Sequence, residues 1–362
     1  MKACFRVDSS NIIGSGHVMR CLAFADELRR QKFSVSFICR KFEGDLIDFI
    51  AQKGYKVHRL PYCRFPRQIK EGPDPYKKWL GADWQSDAAQ TLDIVNRIKP
   101  DWMIVDHYAI DRNWEKRLKT AVNKVMAIDD LANRRHECDI LLDQNLYANM
   151  RLRYQKLLPK ACKELLGPKF ALLRPEFRKA RAKSRCRDGK VKKILVFFGG
   201  VDLTNETGKV LKVLARLTRA DISVDVAIGI NNPHKVMIEG LVKKMPNLTC
   251  HNKIKNISRL MRSADLFIGT AGITTWERCC LGLPSLVITI ARNQVQIIKY
   301  LAKKNILFYV GEGHKVKSAR IQKDIEYFLA RPERLKRYSL NSLKLVDGLG
   351  AQRCARTLIQ TN

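Results

Sequence analysis

"KKILVFFGG", residues 192–200, decides the architecture. A short run of β-branched, aromatic and leucine side chains lies between a lysine pair and a glycine pair. That pattern reads as a fully buried strand ending in a tight turn. A helical pattern follows from about Asn205, so the segment opens a strand–turn–helix unit. Downstream, "ISVDVAIG" (222–229), "LTCHNK" (248–253), "DLFIGTAG" (265–272), "PSLVITIA" (284–291) and "ILFYVGE" (306–312) alternate with helical segments near 234–245, 256–263, 274–281 and 294–304. Upstream the alternation has already run once, through "ACFRVD" (3–8), "SVSFICR" (34–40), "YKVHRL" (55–60), "WMIVDHY" (102–108), "KVMAIDD" (124–130) and "CDILLDQN" (138–145). Helices are expected between them at about 17–31, 44–53, 86–98 and 111–121, the third capped by Ser86 or Asp87. Two successive series predict an α/β protein with two Rossmann-like domains facing each other across a cleft. The expected boundaries are 1–175 for the N-terminal domain, 176–190 for a basic linker, 191–340 for the C-terminal domain and 341–362 for a helical tail.

Composition narrows the class. With 362 residues, 46% of them hydrophobic, the chain is long enough for two ordinary cores and too apolar for disorder. It contains no apolar run of about 18 residues, so no membrane span is expected. The start, "MKACFRVDSS", reads as a first strand rather than a signal peptide, and a cytoplasmic location is expected. Eleven scattered cysteines without a CxxC pair fit reduced core thiols better than a disulfide frame. The excess of 68 basic over 35 acidic residues, net +33, raises the question of nucleic acid. The basic residues are spread along the chain, however, without a zinc finger, an RNP-type strand or a basic-aromatic repeat. The densest patch, 174–193, reads as a solvated linker and helix. An anionic small molecule would meet the same charge, and no nucleic-acid partner is expected.

In doubly wound sheets ligands bind beyond the carboxyl ends of the strands, which singles out the loops that follow strands. "SSNIIGSGHVMRC" (9–21) is the first. Gly14 and Gly16 allow a tight turn, and the helix start offers free N–H groups to an anion. As a dinucleotide fingerprint it fails, because the third glycine would fall on Met19; no P-loop GK[ST] follows either. His17 at the helix start is disfavoured as imidazolium and so able to accept a proton, or it simply caps and packs. Asp106 and Tyr108 close an apolar strand in "VDHYAID" (105–111). Asp106 reads as an orienter of a base or ligand, or as a helix cap. Asp129, Asp130 and Asn145 end two further strands. No histidine–carboxylate spacing marks a metal site, and neither a metal nor a cofactor is expected.

In the second half, Gly199 and Gly200 of "FFGGVDLTNETGK" (197–209) read as a matching phosphate loop. "IGTAGITTWERCCLGLP" (268–284) places Thr270 and Gly272 after a strand and Thr274, Thr275 and Glu277 at a helix start. A carboxylate there can accept from both ribose hydroxyls while N–H groups hold a diphosphate; it is also an ordinary dipole-favoured helix-start glutamate. Asn293 and Gln294 add uncharged hydrogen-bonding groups after the next strand.

Taken together, "DSSxxIGxGHxxR" at 8–20, "VDHY" at 105–108, "CDILLDQN" at 138–145, "GPKFALLRPEF" at 167–177, "FFGGVD" at 197–202 and "TAGITTWE" at 270–277 resemble the UDP-sugar hydrolases of pseudaminic acid biosynthesis (PseG). Those enzymes are relatives of MurG-type transferases with the glycosyltransferase-B fold. The resemblance implies hydrolysis of UDP-2,4-diacetamido-2,4,6-trideoxy-β-L-altropyranose, with His17 as the general base that activates water for inverting attack at the anomeric carbon. It implies substrate contacts for Arg174, the residue opening the linker, and for Glu277. The strand-end loops themselves supply Gly14, Gly16, Arg20, Asp106, Tyr108, Asn145, Gly199, Gly200, Thr270, Gly272, Thr274, Thr275, Asn293 and Gln294 as further candidate substrate-binding positions. The small-molecule partner is then a UDP-sugar, and no oligomeric state is assigned. A glycosyltransferase of the same fold would share these loops, and a basic nucleic-acid-binding module is the alternative from another class.

Overall fold

The six apolar runs of the first half pair into one parallel sheet together with a seventh strand, Lys163–Leu166, which sequence reading did not single out, and six strands form a second. The computed structural model describes residues 1–361 apart from 64–74, 218, 230, 231, 253 and 255. The first sheet comprises β1 (Lys2–Val7), β2 (Ser34–Arg40), β3 (Lys56–Leu60), β4 (Trp102–Asp106), β5 (Lys124–Ile128), β6 (Ile140–Asp143) and β7 (Lys163–Leu166), in the order β3-β2-β1-β4-β5-β6-β7. The second comprises β8 (Lys193–Phe197), β9 (Ser223–Ala227), β10 (Leu248–His251), β11 (Leu266–Gly269), β12 (Ser285–Thr289) and β13 (Phe308–Glu312), in the order β10-β9-β8-β11-β12-β13. Both sheets are parallel and helices connect most of their strands, β5 and β6 excepted, so strands such as β4 and β12 are buried along their whole length and read as unbroken apolar runs.

Each sheet grows outward in one direction and then restarts on the other side of its first strand. This topological switch leaves the loops after the two central strands side by side and free of a covering helix. In the first sheet the pair is β1 and β4, with Val7 in register with Asp106. In the second it is β8 and β11, with Phe197 in register with Gly269. Apolar packing holds the frame rigid beneath these loops. Phe5, fully buried, stacks on Phe37 at 5.0 Å and meets the edge of Phe24 at 6.0 Å. Truncating such a ring to alanine costs about 3–5 kcal/mol.

The chain forms two compact units, Met1–Arg174 with Leu349–Asn362, and Pro175–Gly348. This division differs from the sequence expectation in two places. The segment expected as a solvated linker, 176–190, is part of the second unit. It opens with the helix Pro175–Ala182, whose Phe177 is buried, and Arg181 donates to the carbonyls of Cys280 (2.7 Å) and Leu343 (2.9 Å). Arg187 is itself buried among carbonyls. Charge density misled because an arginine can be buried wherever carbonyls accept its five N–H groups. Nor is 341–362 a single tail. The helix Pro332–Leu345 stays with the second unit, whereas Gly350–Thr361 packs Cys354, Ala355 and Leu358 into the core of the first, with Cys21, Leu22 and Leu28.

The helix expected near 86–98 runs from Trp84 to Ile98 and is capped by Asp83, whose Oδ1 accepts from Ser86 N at 2.8 Å. Asp87 points inward instead. All eleven cysteines are free thiols. Among the described residues no helix is long and apolar enough to cross a membrane.

Candidate active site

The loop after β1 is built for a sharp exit. Ser10 Oγ accepts from Ile12 N (3.1 Å) and Ile13 N (2.9 Å), and Gly14 N returns to Ser10 O at 2.9 Å. Gly14 takes φ +79°, a left-handed conformation that favours glycine. The helix Gly16–Arg30 then starts with no side-chain cap and no acidic residue in its first turn, so its positive end is unopposed.

His17 and Arg20, one turn apart, lie on the same helix face and both reach Asp106 at the end of β4. His17 Nδ1 is 2.6 Å from Asp106 Oδ1; Arg20 holds the same carboxylate through Nε to Oδ2 (2.6 Å) and Nη2 to Oδ1 (2.7 Å). Burial alone would raise the Asp106 pKa, but the charges of Arg20 and then His17 outweigh it and hold the carboxyl well below the usual range. With an ionised Asp106 2.6 Å away, the Nδ1–H tautomer of His17 is the one that completes this hydrogen bond, and in that tautomer Nε2 is the nitrogen that can accept a proton. Arg20 Nη1 also pairs with Asp130 Oδ2 at 3.0 Å, and Tyr108 donates its hydroxyl to Asp130 Oδ1 at 2.5 Å. Burial and the neighbouring Asp130 push the Tyr108 pKa well above its ordinary value, which keeps it a phenol and a donor. Strand alternation sends His107 to the other side, where its Nε2 lies 3.3 Å from Asp8 Oδ2. It does not belong to this group.

Tyr76 and Trp79 join the same cluster. The Tyr108 ring meets His17 edge-on at 4.6 Å, Trp79 stacks on Tyr108 at 5.6 Å and presents its edge to His17 at 6.1 Å, and Tyr76 touches both Trp79 and Tyr108 at 4.9 Å. Sequence reading passed over these two rings. Their signal was position: they follow β3, on the strand-end side that carries the other candidate loops.

Asn145 follows β6, donates its backbone N–H to Asp143 Oδ1 at 2.9 Å and bonds Tyr147 through its side chain. Arg174 is half-buried at the last residue of its unit before the chain passes on.

In the second unit the loops after β8 and β11 differ. Gly199 takes φ +88° with open space on its Cβ side, as expected of a loop that admits a ligand. The helix start beyond it, Glu206–Arg216, is closed by the chain itself. Asp202 accepts from Glu206 N (2.9 Å) and Thr207 N (3.0 Å), and Asn205 accepts from Gly208 N (3.1 Å). Its amides are therefore occupied, which corrects the reading of this helix start as a second phosphate cradle. The helix Thr274–Cys280 has no side-chain cap. Gly272, before it, is at φ +108° with nothing within 4 Å of a Cβ. Thr270 Oγ1 donates to Gln294 Oε1 at 3.2 Å, and the same oxygen accepts from Ile290 N at 3.1 Å, so Gln294 ties this loop to the one after β12. Asn293 is exposed beside it, and Glu277 is buried in the helix. Beneath the loop lies Arg278, 1% exposed, which the sequence reading did not single out. Among the described residues no group of three or more His, Cys, Asp or Glu is placed to hold a metal ion.

Residues 194–350 match the glycosyltransferase family 28 C-terminal domain. The whole fold is that of the glycosyltransferase-B class: the solved MurG of Acinetobacter baumannii superposes with a TM-score of 0.66 at 13% identity, covering 99% of each chain. Among curated relatives, the chain is similar to the UDP-2,4-diacetamido-2,4,6-trideoxy-β-L-altropyranose hydrolase of Campylobacter jejuni, 29% identical over 84% of this chain and 97% of that one. It is equally similar, at 29%, to an uncharacterized protein of Methanocaldococcus jannaschii over 82% of this chain; there it spans only 57% of the relative's length.

Proposed function

We propose that this protein is a cytoplasmic enzyme that hydrolyses a UDP-2,4-diacetamido-2,4,6-trideoxyhexose to UDP and the free sugar, in the biosynthesis of a surface glycan. The observation that carries the reading is the His17–Asp106 pair. At 2.6 Å it orients the imidazole at a helix start, with Nδ1 turned to the carboxylate and Nε2 left to take a proton from water. In the reaction, a water oxygen attacks the anomeric carbon from the face opposite UDP as His17 Nε2 removes its proton. The bond from the anomeric carbon to the β-phosphate oxygen breaks, its electron pair leaves with UDP, and the configuration inverts. UDP is already a fair leaving group, and hydrogen-bond donors aimed at its phosphates lower the barrier further.

The second unit serves the nucleotide. The Thr270–Thr275 loop and Gly272 meet the diphosphate, Glu277 accepts from the ribose hydroxyls, and Gly199, Gly200, Asn293 and Gln294 line the approach. Gly14, Gly16, Arg20, Tyr108, Asn145 and Arg174 serve the sugar side or hold the groups that do. Similarity to the Campylobacter hydrolase over nearly its whole length supports the substrate class. The eleven free thiols suit a reducing compartment. The reaction runs without a metal, so EDTA leaves turnover unchanged; a loss restored by Mg²⁺ would count against it.

A second reading, transfer of the sugar to an acceptor, is favoured by the family 28 match over 194–350. The two are separated by proton NMR of purified protein with the UDP-sugar alone. Hydrolysis releases UDP and free sugar in equal amounts with no acceptor present, whereas release that requires an added acceptor supports the transferase.

A further inference from the structure

Five arginines are buried among the described residues: Arg6, Arg20, Arg40, Arg187 and Arg278. Burying a guanidinium is costly unless an opposite charge or well-placed acceptors replace water. Arg6 pairs with Asp8 and Asp87, Arg40 with Asp87, and Arg20 with Asp106 and Asp130. Arg187 has no carboxylate at its head but donates to the carbonyls of Met261 (2.9 Å) and Ala264 (3.0 Å) and to that of Leu281. These close the helices Ile257–Ser263 and Thr274–Cys280, whose carboxyl ends carry the negative pole of the helix dipole.

Arg278 has neither compensation. Its Nη1 donates to Thr270 O (2.9 Å) and Thr274 Oγ1 (3.2 Å), its Nη2 to Thr275 Oγ1 (3.3 Å), and its face lies 4.2 Å from the Phe267 ring centre. All three oxygens are neutral, and they belong to the strand-end loop already described. Burial, only partly offset by Cys279 and Glu277, lowers its pKa to about 10, as burial also does for Arg187; what sets Arg278 apart is the neutral character of its three acceptors.

The bonding also fixes the polarity of the loop. A guanidinium can only donate, so the Thr274 and Thr275 hydroxyls must accept from it, and their own protons are released to donate elsewhere. Thr274 is half-buried and Gly272 is exposed beside it. Thr274 is thus the hydroxyl whose proton can turn outward, with a positive charge behind it, while Thr270 and Thr275 are buried.

We propose that Arg278 is a positioning residue for a nucleoside diphosphate: it holds the Thr270–Thr275 loop with the Thr274 donor outward, and the diphosphate of the bound nucleotide is the counter-ion that its buried charge lacks. The inference rests on the UDP reading above and adds to it the group that selects the phosphates. Uridine, which keeps base and ribose but carries no phosphate, separates the two.

The experiment is an NMR titration of UDP and of uridine into the wild type and the Arg278→Met, Arg278→Lys and Thr274→Val variants, with thermal unfolding followed in parallel. Arg278→Met weakens UDP by about 10–100-fold, the scale of a hydrogen-bonded charge, and uridine by no more than about twofold. Arg278→Lys, which keeps the charge but not the fork, falls between. Thr274→Val, with Arg278 intact, costs about 3–10-fold for UDP alone. Equal losses for UDP and uridine, or unchanged UDP affinity in the folded Lys and Val variants, overturn the role of Arg278 and leave the UDP reading standing. A wild type that binds no UDP overturns both.

Discussion

In the first unit the buried arginines face carboxylates, as Arg20 faces Asp106 and Asp130. In the second, Arg187 and Arg278 are buried against carbonyls and hydroxyls. For Arg20 and Arg278, which lie at the two switch points, the contrast suits the roles proposed above. A water-activating histidine must be in the right tautomer before substrate arrives, so its partners are supplied by the chain and balanced in charge. A loop that binds a dianion works better with positive charge left over, because the ligand then brings what is missing. On that proposal, one site is complete when empty and the other becomes so when filled.

The largest expected effect is on chemistry. His17→Ala lowers kcat in the UDP-release assay by about 10²–10⁴-fold, the contribution of a general base. A variant retaining near-full turnover removes His17 from that role. Asp106→Asn keeps the shape but no longer stabilises the Nδ1–H tautomer, so kcat falls by about 10²-fold while KM moves little. A change in KM alone would place Asp106 on the binding side.

Glu277→Gln sharpens the contrast inside the second unit. A ribose contact is shared by UDP and uridine, so calorimetry shows both weakened by about tenfold. Loss confined to UDP would move Glu277 to the phosphates. The smallest effect concerns stability. His136 is buried between Glu115 (2.7 Å) and Asp129 (3.7 Å); although burial opposes its charge, these carboxylates raise its pKa from 6.5 to about 9. A raised folded pKa stabilises the protein fully below about 6.5 and loses that contribution as pH rises through about 9. Melting temperature should therefore decline across this window, and His136→Gln should flatten the decline. An unchanged slope would show that the His136 charge is not held by its partners.

Much of this was legible in the sequence. The strand–turn–helix rhythm gave the two sheets, because parallel strands buried on both faces leave unbroken apolar runs. The strand-end rule brought out His17, Asp106, Tyr108 and Thr270, which the fold then gathers at its switch points. Long-range pairing was not legible. Asp87 looked like a helix cap, yet it accepts from Arg6 (2.8 Å), Arg40 (2.8 Å) and Trp114 (2.9 Å), residues of three other elements. Asp202 closing the helix after Gly200 needed its backbone geometry, φ +48°, which no spacing rule predicts. Arg278 carries no motif, and its meaning comes only from the carboxylate it lacks. The basic stretch after Arg174 misled for the related reason that composition cannot tell a solvated arginine from one enclosed by carbonyls.

The division of labour between the units is tested most directly by titrating UDP into His17→Ala by calorimetry and measuring turnover of the same preparation. The account predicts a UDP Kd within about twofold of the wild type alongside a kcat at least about 100-fold lower. UDP affinity lost together with turnover, or turnover preserved, would contradict it.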